Sequence, residues 1–333
     1  MEARKSDVSV TYNGTVMTSL APYLTGFSYT DNASDETDSI DIEIQDRDHR
    51  WINGWIPKKG DSLSATIKAS NQANLSCGEF TLDDFSFSGP PSKGKISGVA
   101  IPANSDFKER KRTQTWANAT IKTIAQTIAN RSNVSLNWQV KEAAFTLKTV
   151  EQDDETDCSF LTELCGKYGY YIKLFRNKII VFSRKERKKD SAAKTLYLSD
   201  ISSWSWRTGL TGTYTGGKIS YESEWLIEGT FGYEFDEGAD SHSSGGSRIL
   251  ELNEKCESDA DAERIIRAAV EAANHGITTL NITMPGRTDL FAGQNVRISG
   301  LGKLSGKYYI DSITHKIATS GGYTASLKLS LID

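Results

Sequence analysis

The sequence predicts a mainly β protein with an α/β insert: two antiparallel β-barrel domains and one small α/β domain. Three observations predict it. Short apolar-polar alternations fill the first hundred residues, helical stripes appear only in the middle, and alternations return after one late amphipathic helix. At 333 residues the chain is long for one compact unit and suits two or three domains with separate cores.

Val8-Ser9-Val10-Thr11-Tyr12 alternates, and Asn13-Gly14 supplies the residues of a tight type I′ turn before Val16 resumes. Ile40, Ile42 and Ile44 alternate with Asp41 and Glu43, which marks a strand with one dry and one wet face. Leu63-Ala65-Ile67, Phe80-Leu82 and the run Ile96 to Ile101 continue the pattern, so 1–104 reads as a first β-barrel. The period then changes. Ile121, Ile124, Ala125, Ile128 and Ala129 form a helical stripe with Asn118 as its expected cap. A second helix is expected from Asp157 to Tyr168, carrying Phe160, Leu161, Leu164 and Cys165 on one side and stopped by Gly169. Tyr170 to Leu174 and Lys178 to Phe182 read as a hairpin turning at Arg176-Asn177. The run Arg184 to Asp190 is expected to be an exposed connector, which closes a small α/β insert domain over 105–198.

Strands return over 199–236, around Leu196 to Tyr221 and Trp225 to Phe235, as a connector toward the barrels. Ser and Gly crowd Glu237 to Arg248, the composition of a mobile loop or of an arm that orders on assembly. Ser258 and Asp261 form a capping box ahead of Ala262, Ile265, Ile266, Ala269, Val270 and Ala273, so a helix is expected over 258–275. Strands at Leu280 to Met284, Val296-Ile298, Tyr308 to Ile317 and Tyr323 to Leu331 complete a second barrel over 237–333.

Searches for reactive chemistry return little. A net charge of -4 creates no field for a nucleic-acid backbone, so no specific nucleic-acid site is expected. No run reaches the roughly 18 apolar residues of a membrane span, and Met1 to Asp7 lacks the apolar stretch of a signal peptide. The expectation is a chain without a membrane span, kept in the cytoplasm until assembly. Cys77, Cys158, Cys165 and Cys256 make no C-x-x-C pair and read as free buried thiols. Gly89-Pro90-Pro91-Ser92-Lys93-Gly94-Lys95 has P-loop spacing, but Ile96 stands where Mg²⁺ needs a hydroxyl and two prolines remove N–H donors, so it reads as a turn. The glycines from Gly300 to Gly306 precede a strand where a dinucleotide fingerprint needs a helix. His49, His242, His275 and His315 are dispersed, and neither a metal nor a cofactor is expected.

Asp31, Asp35, Glu36, Asp38, Asp41 and Glu43 lack the glycine and terminal glutamate of a calcium loop and read as solvated carboxylates. Asp153-Asp154-Glu155 reads as an acidic lead-in to the next helix, with a cell-wall hydrolase as the enzymatic alternative. Lys108, Arg110, Lys111 and Arg112 before Trp116 read as a solvated or interface edge in preference to a base-stacking patch. Seven Trp and thirteen Tyr keep a carbohydrate-binding module as a third class.

Taken in order, several segments resemble one known family. Asp38 to Asp48, with Asp46 among them, continues through Trp51, Trp55, Pro57 and Gly60-Asp61 and resembles that family's first barrel. Arg110, Arg112 and Trp116, then Gln152 with Ser159-Phe160-Leu161, Leu164 and Gly169, resemble its middle segment. Pro285-Gly286, Leu290, Ala292-Gly293, Val296, Gly300, Gly306, Tyr308, Ile310, His315 and Gly321 to Thr324 resemble its second barrel. The family so resembled is the late control D and XkdQ-like family of phage tail proteins, and the resemblance spans nearly the whole chain. It implies a non-enzymatic baseplate hub of a contractile tail, tailocin or related injection system, with tail-tube-like barrels and a separate spike protein. A homotrimer would place six barrels in a pseudo-sixfold ring. Its partners would be the tail spike, the tail tube or tube-initiator protein, other baseplate proteins and the tape measure. Its place would be the bacterial host cytoplasm during assembly and then the baseplate of the released particle. Asp46, Trp51, Trp55, Arg112, Trp116, Gly293, Gly300, Gly306, Tyr308 and His315 are the family-motif positions expected to shape turns or interfaces.

Overall fold

Alternation builds the first module. Its strands are β1 (Ser6–Tyr12), β2 (Thr15–Val16), β3 (Leu24–Asn32), β4 (Ser39–Gln45), β5 (Ser62–Ala69), β6 (Leu75–Ser88) and β7 (Lys93–Val99). In β4 the three isoleucines point inward while Asp41 and Glu43 face out. The strands lie antiparallel in the order β3-β4-β7-β6-β5-β1-β2, around a core that includes Phe27, Tyr29, Ile42, Trp51, Ile67 and Leu82. The computed structural model describes residues 5–34, 36–100, 106–209, 211–221, 231–236 (backbone only), 248–319 and 322–332. Asp35, the segment around Trp225, the Ser/Gly-rich stretch at 237–247 and Ser320-Gly321 lie outside the described residues.

The insert follows as β8 (Lys111–Ala119), α1 (Ile121–Arg131), β9 (Ser135–Trp138), β10 (Leu147–Thr156), α2 (Asp157–Lys167), β11 (Tyr170–Phe175), β12 (Lys178–Ser183) and α3 (Arg184–Lys189). Both helices present the expected stripe to a core that includes Ile124, Ile128, Phe160, Leu161 and Val181. Two expectations are corrected here. Thr120, not Asn118, caps α1, its side chain accepting from the Thr123 N–H, while Asn118 takes a positive φ of 49° before the helix. The charged run from Arg184 is a helix capped by Ser183, and Arg184 is only 5% exposed. Its guanidinium lies 3.7 Å from the Tyr171 ring centroid, and the apolar stem is covered with it.

The last third comprises β13 (Lys194–Tyr197), β14 (Ser203–Arg207), β15 (Gly216–Tyr221), β16 (Phe231–Asp236), β17 (Ile249–Asn253), α4 (Asp259–Asn274), β18 (Thr279–Pro285), β19 (Asn295–Ser299), β20 (Gly306–Ala318) and β21 (Gly322–Leu331). Helix α4, grouped by its sequence position with 237–333, lays Ala262, Ile265 and Ile266 against Ile219 and Tyr221 of the separate three-stranded sheet β16-β15-β17. The remaining strands run β14-β18-β21-β20, with β19 on β20 and β13 on β19, around Leu280, Val296, Tyr308, Ile310 and Leu327.

One strand joins the two barrels. β20 pairs along β21, and its residues Ser312 to Ala318 also pair antiparallel with Gly26 to Asn32 of β3, so a single 13-stranded sheet runs through both. A bulge falls between Ile310 and Ser312. The inward set therefore changes parity, from Tyr308 and Ile310 in the second core to Ile313, His315 and Ile317, the last of which reaches the first core.

Candidate functional site

The joint between the modules holds Asp31, Asp38 and Arg184, three of the six buried Asp, Glu, Lys or Arg side chains among the described residues. On β3 the inward face continues from Phe27 and Tyr29 to Asp31, past the end of the apolar core. On β11 the even residues Tyr170, Ile172 and Leu174 pack into the insert, which turns Tyr171, Lys173 and Phe175 toward the first barrel. The Lys173 ammonium meets the Asp31 carboxylate and donates to Asp38 Oδ1 at 2.9 Å. Asp31 Oδ2 accepts from the Ala292 N–H at 2.9 Å, so one carboxylate ties the insert to both barrels. This corrects the reading of the acidic stretch: Asp31 and Asp38 are 3% and 2% exposed, not solvated. Burial pushes the Asp38 carboxyl up to about 7 against the pull of Lys173, helped by the like charge of Asp31. The period-2 count Phe27, Tyr29, Asp31 carried that signal. Lys173 had none, because its partners lie more than 130 residues away.

Helix α3 makes the second tie. Arg184 donates to Ser34 Oγ and to the Tyr171 hydroxyl, both at 3.1 Å, and Asn295 Nδ2 donates to the carbonyls of Arg187 and Asp190 at 2.7 and 2.8 Å. The extra residue of the β20 bulge is Asp311. Its carbonyl accepts from the Ala33 N–H at 2.8 Å, and its carboxylate reaches His275 Nε2 at 2.7 Å and the Ser330 hydroxyl at 2.5 Å.

The family-motif residues fall in four places. Asp46 is fully buried and accepts from the N–H groups of Trp51 and Ile52, both at 3.2 Å, which shapes the loop that leads to Trp55. Trp51 is core, whereas Trp55 stands 37% exposed, edge-on to Tyr23 and Trp51, with the Arg50 guanidinium 5.3 Å from its ring. Trp116 stacks on Phe160 inside the insert, and Arg112 sits 3.3 Å from Asp106 and 3.4 Å from the buried Asp157. Asp157 also takes a bidentate pair from Arg131. The basic cluster before Trp116 is thus largely neutralised by Asp106, Asp154 and Asp157. Asp154 lies at a bulge in β10, not in a lead-in loop.

In the second barrel, Gly293 and Gly300 hold φ of +87° and +94°, and a Cβ would lie 2.6 Å from Arg187 Nη1 and 3.1 Å from Leu198 Cβ respectively. Gly306 opens β20 opposite Ile298, and the buried Tyr308 donates its hydroxyl proton to the Leu304 carbonyl at 2.7 Å. His315 sits between the barrels, stacked on Tyr29 at 5.9 Å with Nδ1 2.9 Å from the Tyr323 hydroxyl. Burial lowers it to about 4, so it is a neutral packing group. Among the described residues no three His, Cys, Asp or Glu side chains are grouped as metal ligands. No described helix is long and apolar enough to cross a membrane.

No family model matches the sequence. It is 23% identical to the probable baseplate hub protein of Escherichia phage 186 and 22% identical to that of Escherichia phage P2, over 92% of this chain and 88% of each relative. The fold is similar to a 43 kDa tail protein of prophage MuSo2 from Shewanella oneidensis, with TM-score 0.75, 14% identity, and 98% and 99% of the two chains covered. A tail protein from Neisseria meningitidis MC58 matches with TM-score 0.73, 13% identity and 98% and 96% coverage. An Escherichia coli type VI secretion component, itself described as similar to the T4 tail proteins gp27 and gp5, matches with TM-score 0.60, 12% identity and 98% and 76% coverage. In sequence over nine-tenths of its length the chain is similar to the probable baseplate hub proteins of two phages, and over nearly all of its length it has the fold of phage tail proteins.

Proposed function

We propose that the chain is a structural baseplate hub, assembling as a homotrimer whose two barrels per subunit form a pseudo-sixfold ring between the hexameric tail tube and the trimeric spike. The observation that carries this reading is β20, which belongs to both barrels and makes them one stiff sheet. Two similar barrels fixed at a set angle let three chains present six comparable surfaces. In this reading 1–104 and the barrel strands within 237–333, joined by β13 and β14 from the preceding segments, form the ring, most of 105–198 is the insert docked beside it, and β15 and β16 within 199–236 pack with β17 and α4. The motif residues act mainly from beneath. Asp46 and Trp51 hold the loop that exposes Trp55, while Gly293, Gly300, Gly306 and Tyr308 set the turns of the second barrel. The role is one of binding without turnover, in the tail baseplate, after assembly in the host cytoplasm with the spike, the tube or its initiator, other baseplate proteins and the tape measure.

Purified hub is expected to retain both the spike and the tube protein on a column, each through a different face. A hub that binds neither contradicts the reading. Clearing of peptidoglycan in a zymogram, lost on Asp153→Ala or Glu155→Ala, would instead assign a hydrolase.

A further inference from the structure

We propose that the loop between β4 and β5, residues 46–61, docks a protein partner whose own face is an acidic rim around an apolar slot. Ile52, Trp55 and Ile56 stand exposed on this loop, three large apolar side chains on one short stretch. Apolar residues clustered in this way mark a docking surface. The charges around them are mostly positive. Arg47, Arg50, Lys58 and Lys59 are exposed, against the carboxylates of Asp48 and Asp61. Those two are engaged within the chain: Asp48 meets the Arg50 guanidinium at 2.8 Å and the Tyr23 hydroxyl at 2.7 Å, and Asp61 takes the Tyr12 hydroxyl. Among the described residues Arg47, Lys58 and Lys59 make no ion pair, so the loop is basic on a chain whose net charge is -4. Such a face selects a partner with opposite charge around an apolar centre.

The face is preformed. Asp46 holds the N–H groups of Trp51 and Ile52 from beneath, the Trp55 N–H donates to the Arg50 carbonyl at 2.9 Å, and the Gly60 N–H donates to the Leu82 carbonyl at 2.9 Å. Tyr23, Trp51 and Trp55 meet edge to face with centroids 5.7 to 6.3 Å apart, and the Arg50 guanidinium covers part of the Trp55 ring. A surface already ordered gives up little freedom on binding, and Trp, Tyr and Arg are the side chains that anchor protein interfaces. A ring fixed in this way suits a shaped protein slot better than a fluid lipid surface.

Charge also argues against a second copy as the occupant. The chain's other exposed apolar group, Tyr197, Leu198, Trp204 and Phe291, shares its strands and loop with Lys194, Arg207 and Arg287. Asp289 beside it is already bonded to Lys194 and Arg287, so no acidic rim is offered there. The inference rests on the hub reading for the class of partner, a neighbouring tail protein, and adds the loop that meets it and the chemistry of the surface it meets.

The test titrates the full-length chain against the candidate spike protein and the candidate tube protein separately, at low and at raised ionic strength. One of the two is expected to bind Trp55→Ala about ten-fold or more weakly than the unsubstituted chain. The same partner is expected to lose about as much against Lys58→Glu/Lys59→Glu, with slower association, and to bind the unsubstituted chain more weakly as salt rises. Unfolding midpoints are read for each variant, and the exposed lysine pair tests the surface even where Trp55→Ala does not fold. Full affinity of both variants for spike and tube overturns the proposal, and the hub reading survives. Loss with Trp55→Ala but indifference to salt and to the lysine reversal overturns the acidic rim. Binding to phosphatidylglycerol vesicles, or self-association of the chain, that is lost with Trp55→Ala assigns a different occupant and overturns it too. A chain that binds neither spike nor tube removes the hub reading and this inference with it.

Discussion

At the scale of single residues, burial and charge make the joint pH-sensitive in two opposed ways. His315 is held near 4 in the fold against an ordinary 6.5, so between those values the unfolded chain binds more protons. Stability from this group is whole above pH 6.5 and falls toward pH 4 by up to about 1.4 kcal/mol per unit. Urea midpoints of His315→Gln are expected to show a flatter acid limb, and an unchanged limb would exclude this origin. Asp38 acts with the opposite sign. Raised to about 7 from an ordinary 3.8, it holds a proton that the unfolded chain has released, so its contribution is whole below about 4 and lost as pH rises through 7. Asp38→Asn is therefore expected to be less destabilising at pH 8 than at pH 5. Lys173→Met leaves two buried carboxylates without their cation, at an expected cost of about 3–5 kcal/mol in urea unfolding. An additional Asp38→Asn is expected to recover part of that loss.

At the scale of elements, the turns and caps carry separable costs. Gly300→Ala forces a side chain into a left-handed backbone against Leu198 and is expected to cost about 1–3 kcal/mol in thermal unfolding, with Gly293→Ala similar against Arg187. Ser258 accepts from the Asp261 N–H at the start of α4, and Ser258→Ala is expected to cost about 1 kcal/mol. The same elements show what the sequence could reveal. The isoleucine alternation of β4 and the stripes of α1, α2 and α4 were legible because one strand or helix sets its own period. The Arg176-Asn177 turn was legible too, both residues taking positive φ. Asn118 was misleading because asparagine suits a left-handed strand end as well as a cap. Arg184 to Lys189 was misread because charge count is blind to Tyr171 and Phe182, whose rings stack under the guanidinium groups of Arg184 and Arg187. The burial of Asp31 depended on which modules meet, and local period does not contain that.

At the scale of the whole molecule, stiffness follows from continuity. A sheet that passes from one barrel to the other through β20 resists bending between them, and the Lys173 and α3 ties lock the insert against both. The two-barrel plan with an insert was readable from the order of its strand and helix periods, whereas the shared strand was not, because Ser312 and Asn32 are far apart in the chain. The ring proposed above, between a tube and a spike, would need such stiffness, since each subunit would have to offer both barrels at a fixed angle. The most direct test of the proposed hub is the mass and low-resolution shape of the purified chain, by light scattering and negative-stain microscopy, alone and with a candidate spike protein. The account predicts a particle of about three chains with a central hole once the spike is present. A chain that stays monomeric with the spike at saturating concentration would contradict it.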